Sequence, residues 1–179
     1  MFKKEVFTFN DDLILQHPKW APYFKCSTVG NQYTVLYYDD GTTQKAIMSD
    51  TEYEQITNQP LLDLVQAKFD AGITAPNILL IGWGIGYVID PIKAIAPNAE
   101  ITVIEKYQDV IDLTPLPNDI NLIVDDVANV DLETEFDIIW SDVTEVTNES
   151  VLIDIKLKFE PNLKSDGTFQ YWLANCNCS

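Results

Sequence analysis

The most constraining stretch of this 179-residue chain is Asn77–Gly86, NILLIGWGIG. Asn77–Ile81 is a continuous apolar run of the kind buried on both faces of a parallel sheet. It leads directly into Gly82-Trp83-Gly84-Ile85-Gly86, and a helical pattern follows to about Ala96. Glycines at such a junction let the backbone turn tightly and let a ligand approach without meeting a Cβ, while the next helix offers free N–H donors. The spacing is G-x-G-x-G, and the position where a dinucleotide fingerprint has glycine or alanine is Tyr87. Pyrophosphate binding is therefore disfavoured, and a P-loop is excluded because no Lys-Ser/Thr follows.

The same rhythm continues downstream. Glu100–Ile104 reads as a second strand, Tyr107–Leu113 as a short helix stopped by Pro115 and Pro117, and Asn121–Val124 as a third strand. Phe136–Trp140 is a fourth strand, Glu149–Phe159 a helix and Thr168–Leu173 a fifth strand. Strands and helices that alternate with short connections predict an α/β fold with a shortened, doubly wound Rossmann-like parallel sheet over residues 61–179. Residues 1–60 are expected to form a separate N-terminal β-hairpin segment. Gln32–Tyr38 and Thr42–Met48 flank an Asp39-Asp40-Gly41 turn, and the stretch with Pro18 and Pro22 around Trp20 reads as irregular. A helix beginning near Glu52 is expected to stop at Asp70-Ala71-Gly72.

Glu105 ends the second strand, nineteen residues beyond Gly86. A carboxylate at that strand tip is how this fold accepts hydrogen bonds from both ribose hydroxyls, so loop and acid together point to an adenosine-containing ligand.

Charge narrows the function further. All 11 positive side chains are lysine, against 28 acids, for a net charge of −17. Nucleic acid and anionic lipid are repelled by such a surface, and arginine-based phosphate chemistry is unavailable. Residues 105–154 alone hold fourteen acids and one lysine, which suits either solubility or a cationic, small-molecule substrate. No apolar run spans a bilayer, no secretory signal is visible, and three cysteines do not make a disulfide framework, so a cytoplasmic protein is expected. Cys176-Asn177-Cys178 is half of a metal site without a second half, so no metal is expected, and His17 stands alone beside Pro18.

Four segments, Asn77–Gly86, Ile101–Lys106 (ITVIEK), Asn121–Val127 (NLIVDDV) and Phe136–Asp142 (FDIIWSD), resemble the successive motifs of class I S-adenosylmethionine-dependent methyltransferases. Asp40-Gly41-Thr42-Thr43-Gln44 ahead of the loop, with Tyr53 beyond it, is similar to the D-G-x-x-Q segment and tyrosine of the spermidine synthase-like branch. The resemblance implies that Gly82, Gly84 and Gly86 line the methionine and ribose portion of S-adenosylmethionine or decarboxylated S-adenosylmethionine. It implies further that Glu105 holds the ribose, that Asp126 or its neighbour Asp125 meets the adenine amino group, and that Gln44 and Tyr53 belong to the same cofactor site. Asp142 would act as general base and Glu145 would bind an incoming amine, since an ammonium nucleophile must be held and deprotonated.

The chain departs from the aminopropyltransferase pattern at Ile85, where that branch has an acid, and at Glu54, where it has histidine. A methyltransferase-like transferase with an unspecified small-molecule acceptor is therefore the first expectation. Aminopropyl transfer to a polyamine is the second, and a non-catalytic binding or assembly subunit of the same fold is the third. The exposed edge of the fifth strand suggests pairing into a homo-oligomer.

Overall fold

The structure, a computed structural model, describes residues 1–143 and 149–172. Two sheets make up the fold. The N-terminal one is antiparallel, in the order β1-β2-β3, from β1 (Phe2–Thr8), β2 (Gln32–Asp39) and β3 (Gln44–Ser49). Its β2–β3 half is the expected hairpin. β1 was not expected from the sequence: FKKEVFT carries three charges, and the strand exists because all seven of its residues pair with β2. Helix α1 (Asp11–Gln16) and a 3-10 helix (Pro18–Phe24), where irregular chain was expected, cover one face of this sheet. Trp20, Tyr33, Val35 and Tyr37 form the core between them. Leu36 points to the opposite face and joins the main core, which explains the unbroken apolar character of β2.

Helix α2 (Glu52–Asp70) links the two sheets and runs on through Pro60. It ends at Gly72, which sits at φ +92. There Gly72 N–H donates to the Phe69 carbonyl (2.9 Å) and Ile73 N–H to that of Lys68 (3.1 Å), the paired bonds of a Schellman cap.

The second sheet is entirely parallel and has the order β6-β5-β4-β7-β8. Its strands are β4 (Asn77–Ile81), β5 (Glu100–Glu105), β6 (Asn121–Val124), β7 (Phe136–Ser141) and β8 (Leu163–Tyr171). β8 begins five residues before the expected Thr168: Leu163 pairs with Phe136, and the register then shifts before Thr168 pairs with Ile138. Leu80, Ile101, Val103 and Trp140 face α2, α3 (Ile89–Ile95) and α4 (Gln108–Leu113). Leu79, Ile81, Ile104 and Ile139 face α5 (Glu149–Phe159) through Ile155 and Phe159.

The N-terminal ends of the strands are locked by Asp137, 1% exposed, whose Oδ2 accepts from Asn77 N–H (2.7 Å) and from the Lys164 ammonium (2.8 Å). The C-terminal ends stay open. β4 lies centrally, the chain winds outward from it on one side through β5 and β6, and it returns on the other through β7 and β8. Ligand crevices in open α/β sheets form at that reversal, beyond the carboxyl ends of the strands.

Candidate functional site

A cavity of about 330 Å³ occupies that position. The loops leaving four strands contribute Gly82–Gly84 (β4), Glu105–Tyr107 (β5), Asp125–Val127 (β6) and Asp142–Val143 (β7). Past the last residue of each strand, Gly82 N–H donates to Ile104 (2.8 Å), Asp142 N–H to Ile81 (2.7 Å) and Asp125 N–H to Glu105 (3.1 Å). The sheet's rigidity therefore reaches into the site. Phe2, Leu36, Ile47 and Met48 of the N-terminal sheet close the opposite side, with the Phe2 ring 4.9 Å from that of Tyr107. None of these four was singled out from the sequence, because nothing local marks a residue that meets a loop far along the chain.

The glycines have steric reasons of their own. At Gly82 (φ +97) a Cβ would run into the Asp142 carbonyl, and at Gly84 (φ +57) into the Met48 sulfur. Space beside Gly86 is filled by the Trp83 indole, and Gly86 does not line the cavity. Trp83 is buried and its Nε1–H donates to the Thr114 carbonyl (2.7 Å), so it anchors the loop to the end of α4. Helix α3 starts three residues beyond Gly86 and has no side-chain cap, so the loop is a pair of turns rather than a helix N-terminus.

Glu105 is 7% exposed and serves two backbone donors: Trp83 N–H meets Oε2 and Tyr107 N–H meets Oε1, each at 2.9 Å. A carboxylate offers about four acceptor positions, so about two remain for a ligand. At the far end, Asp126 pairs with Lys106 at 3.2 Å and accepts from Ala128 N–H at 3.0 Å. The Ala128 N–H and then the Lys106 ammonium hold its carboxyl below the usual range. Asp125 lines the same end and accepts from Asn129 Nδ2 at 3.0 Å.

Asp142 lies at the other end, between the main cavity and a smaller one of about 10 Å³, room for about one water. Burial pushes its carboxyl up to about 7. Glu54 on α2 is 2% exposed; burial, and then the charge of Asp142, push it up to about 8. Nearby, Tyr23 is raised to about 12 by burial and then by the charges of Glu54 and Asp142. Asn58 Oδ1 and Trp140 Nε1, both from residues lining the smaller cavity, are buried without a hydrogen-bond partner. Two carboxyls raised toward neutrality, close to an unmatched acceptor and donor, make a polar region that can take up or release a proton.

Gly82, Gly84, Glu105, Asp125, Asp126 and Asp142 are thus brought together around one cavity. Gln44 is placed elsewhere: its side-chain Nε2 donates to Asp39 Oδ2 (3.3 Å) and its backbone carbonyl accepts from Trp20 Nε1 (3.1 Å). Tyr53 is buried at the start of α2 and is also absent from the lining. Glu145, Cys176 and Cys178 lie outside the described residues. Cys26 is disulfide-bonded, where no disulfide framework was expected. Glu54 could have been noticed as an acid on the inner face of α2, in register with buried Leu61 and Val65. Among the described residues no helix is long and apolar enough to cross a membrane.

No family model and no curated protein matches the sequence. Solved structures do match. One is the plantazolicin methyltransferase BpumL in complex with a monoazolic desmethylPZN analog and SAH, at 19% identity and TM-score 0.52, covering 67% of this chain and 51% of that one. Another is SAM-bound CalS10, an amino pentose methyltransferase from Micromonospora echinaspora, at 17% identity and TM-score 0.53, covering 68% and 50%. The chain spans about half the length of these structures, and at such identities the likeness is one of fold. The branch resembling spermidine synthase finds no specific counterpart among them. What the five parallel strands share with these neighbours is the Rossmann-like fold of class I S-adenosylmethionine-dependent methyltransferases.

Proposed function

We propose that this chain is an S-adenosylmethionine-binding transferase of the methyltransferase type, acting on a small-molecule acceptor. The observation that carries the proposal is the Glu105 carboxylate: it is fixed by two loop amides, keeps acceptor capacity to spare, and opens onto a cavity at the carboxyl end of the sheet. A ribose diol fits that capacity. The base then extends toward Asp125 and Asp126, which offer acceptors to an adenine amino group. The ribose 5′ carbon points toward Gly84 and Asp142. Bound there, the sulfonium supplies an already activated leaving group, so the protein's task is alignment more than acid–base chemistry. Leu36, Ile47, Ile104 and Val110 give the cavity apolar walls.

A second reading, aminopropyl transfer from decarboxylated S-adenosylmethionine to an amine, is favoured by the charge at the Asp142 end. Lys106 is the single lysine in the described lining, and it sits at the opposite end with Asp126. A ligand carboxylate near Asp142 and Glu54 would thus meet acids and no cation, whereas an ammonium would be held, and Asp142 could accept its proton.

Isothermal titration with S-adenosylmethionine, its decarboxylated form and methylthioadenosine tests both readings. The first predicts binding of the carboxylated cofactor; preference for the decarboxylated form moves the assignment to the second. Absence of heat with all three refutes both and leaves a binding or assembly subunit.

A further inference from the structure

Met48 is the one residue of the N-terminal sheet that lines both cavities in the described structure. It sits on β3 opposite Leu36 and is 7% exposed. Its sulfur accepts the Ile85 N–H at 3.3 Å, and its Sδ and Cε atoms take up the space beside Gly84. A thioether is a weak acceptor on a flexible side chain, so this contact is easily released. Met48 therefore covers the loop at Gly84, one of the three loop residues that line the main cavity.

We infer that Met48 determines which nucleoside the site takes, by occupying the subsite for a substituent on the ribose 5′ carbon. The inference rests on the nucleoside reading given above. With the ribose on Glu105 and the base toward Asp126, C1′ and C4′ lie on opposite sides of the sugar ring. The 5′ substituent must then run across Gly84 toward Asp142, through the volume that Met48 fills. A short thioether fits beside Met48; an amino-acid tail needs the side chain to swing away and competes with it for the Ile85 N–H. Met48 also stands between the two cavities together with Gly82, Trp83 and Asp142, so the same swing would widen the passage from the cofactor cavity to the smaller one beside Asp142.

The test is titration of the parent protein and of Met48→Ala, Met48→Val and Met48→Leu with two probes, methylthioadenosine, which has no tail, and S-adenosylhomocysteine, which has one. The parent is expected to bind the tail-less probe about tenfold tighter, the scale of one side chain's contacts in a pocket. Shortening to alanine or valine is expected to close that gap by about tenfold, through tighter binding of the tailed probe, while leucine keeps the parent ratio. Valine suits a strand and answers the question even where alanine disturbs folding. A parent that binds both probes equally, or a shortened variant with the parent's ratio, overturns the inference and leaves the nucleoside reading standing. A parent that binds neither probe overturns that reading, and this inference with it.

Discussion

Glu105→Gln separates two duties that the structure assigns to one carboxylate. Glutamine keeps the length of the side chain but replaces one acceptor oxygen by an NH2 group. Oε2 and Oε1 each accept a backbone N–H at 2.9 Å, from Trp83 and from Tyr107. Either orientation of the amide therefore sets a donor against a donor in a site that is 7% exposed. An unsatisfied buried donor costs about 1–3 kcal/mol, so the variant should lose about 2 kcal/mol in urea denaturation. Ligand affinity should fall separately. Hydrogen bonds to a charged group are worth about 1.5–3 kcal/mol, which converts to about 10–150-fold in Kd for a ribose diol. Methylthioadenosine and its 2′-deoxy analogue, titrated by calorimetry, are suitable because neither carries a charge that would respond to the protein's net −17. The parent should prefer the ribose form and the variant should lose most of that preference. If stability falls while the ribose-to-deoxyribose ratio stays as in the parent, the carboxylate only braces the loop and the ribose assignment is refuted. Unchanged stability would refute the bracing argument instead.

Two further outcomes follow from the buried acids. Glu54 and Asp142 have carboxyls raised to about 8 and about 7, so the folded protein keeps protons that the unfolded chain has released. Stability should therefore be highest in mild acid and decline as pH rises from about 4 to about 8, and Glu54→Gln should flatten that slope and stabilise the protein at pH 8, measured by denaturation across pH. At the other end of the sheet, Asp137→Ala removes the partner of both Asn77 N–H and Lys164. The Lys164 side chain is 38% exposed and can turn to water, so the cost is mainly that of the unmatched Asn77 N–H, about 1–3 kcal/mol, and nucleoside affinity should not change, because the pair lies at the end of the strands away from the cavity.

Residues 77–124 were the most legible part of the fold. β4 and β5 are short, apolar and buried, and strands buried on both faces announce themselves without help from distant residues. Asn121–Val124 and Glu149–Phe159 have the bounds expected from the sequence, the first an exposed edge strand and the second a helix. β1 was not legible, because a charged edge strand has no pattern of its own and is defined by pairing with β2 some thirty residues later. The early start of β8 likewise depends on an irregular register against Phe136 that only the neighbouring strand imposes.

The sequence by itself determined that Gly82, Gly84, Glu105, Asp125, Asp126 and Asp142 share one cavity. The physical reason is topological: each lies at or just past the carboxyl end of a parallel strand, and neighbouring strands in one sheet bring those ends together whatever the side chains do. Tertiary structure alone decided how each of them is used. Trp83 closes the space beside Gly86, Met48 covers Gly84, Lys106 pairs with Asp126, and Glu54 is buried near Asp142. Two of these, Met48 and Glu54, come from elements that precede the glycine loop by dozens of residues. Contacts over such separations are set by how the two sheets and α2 pack against one another, and no local pattern along the chain encodes that packing.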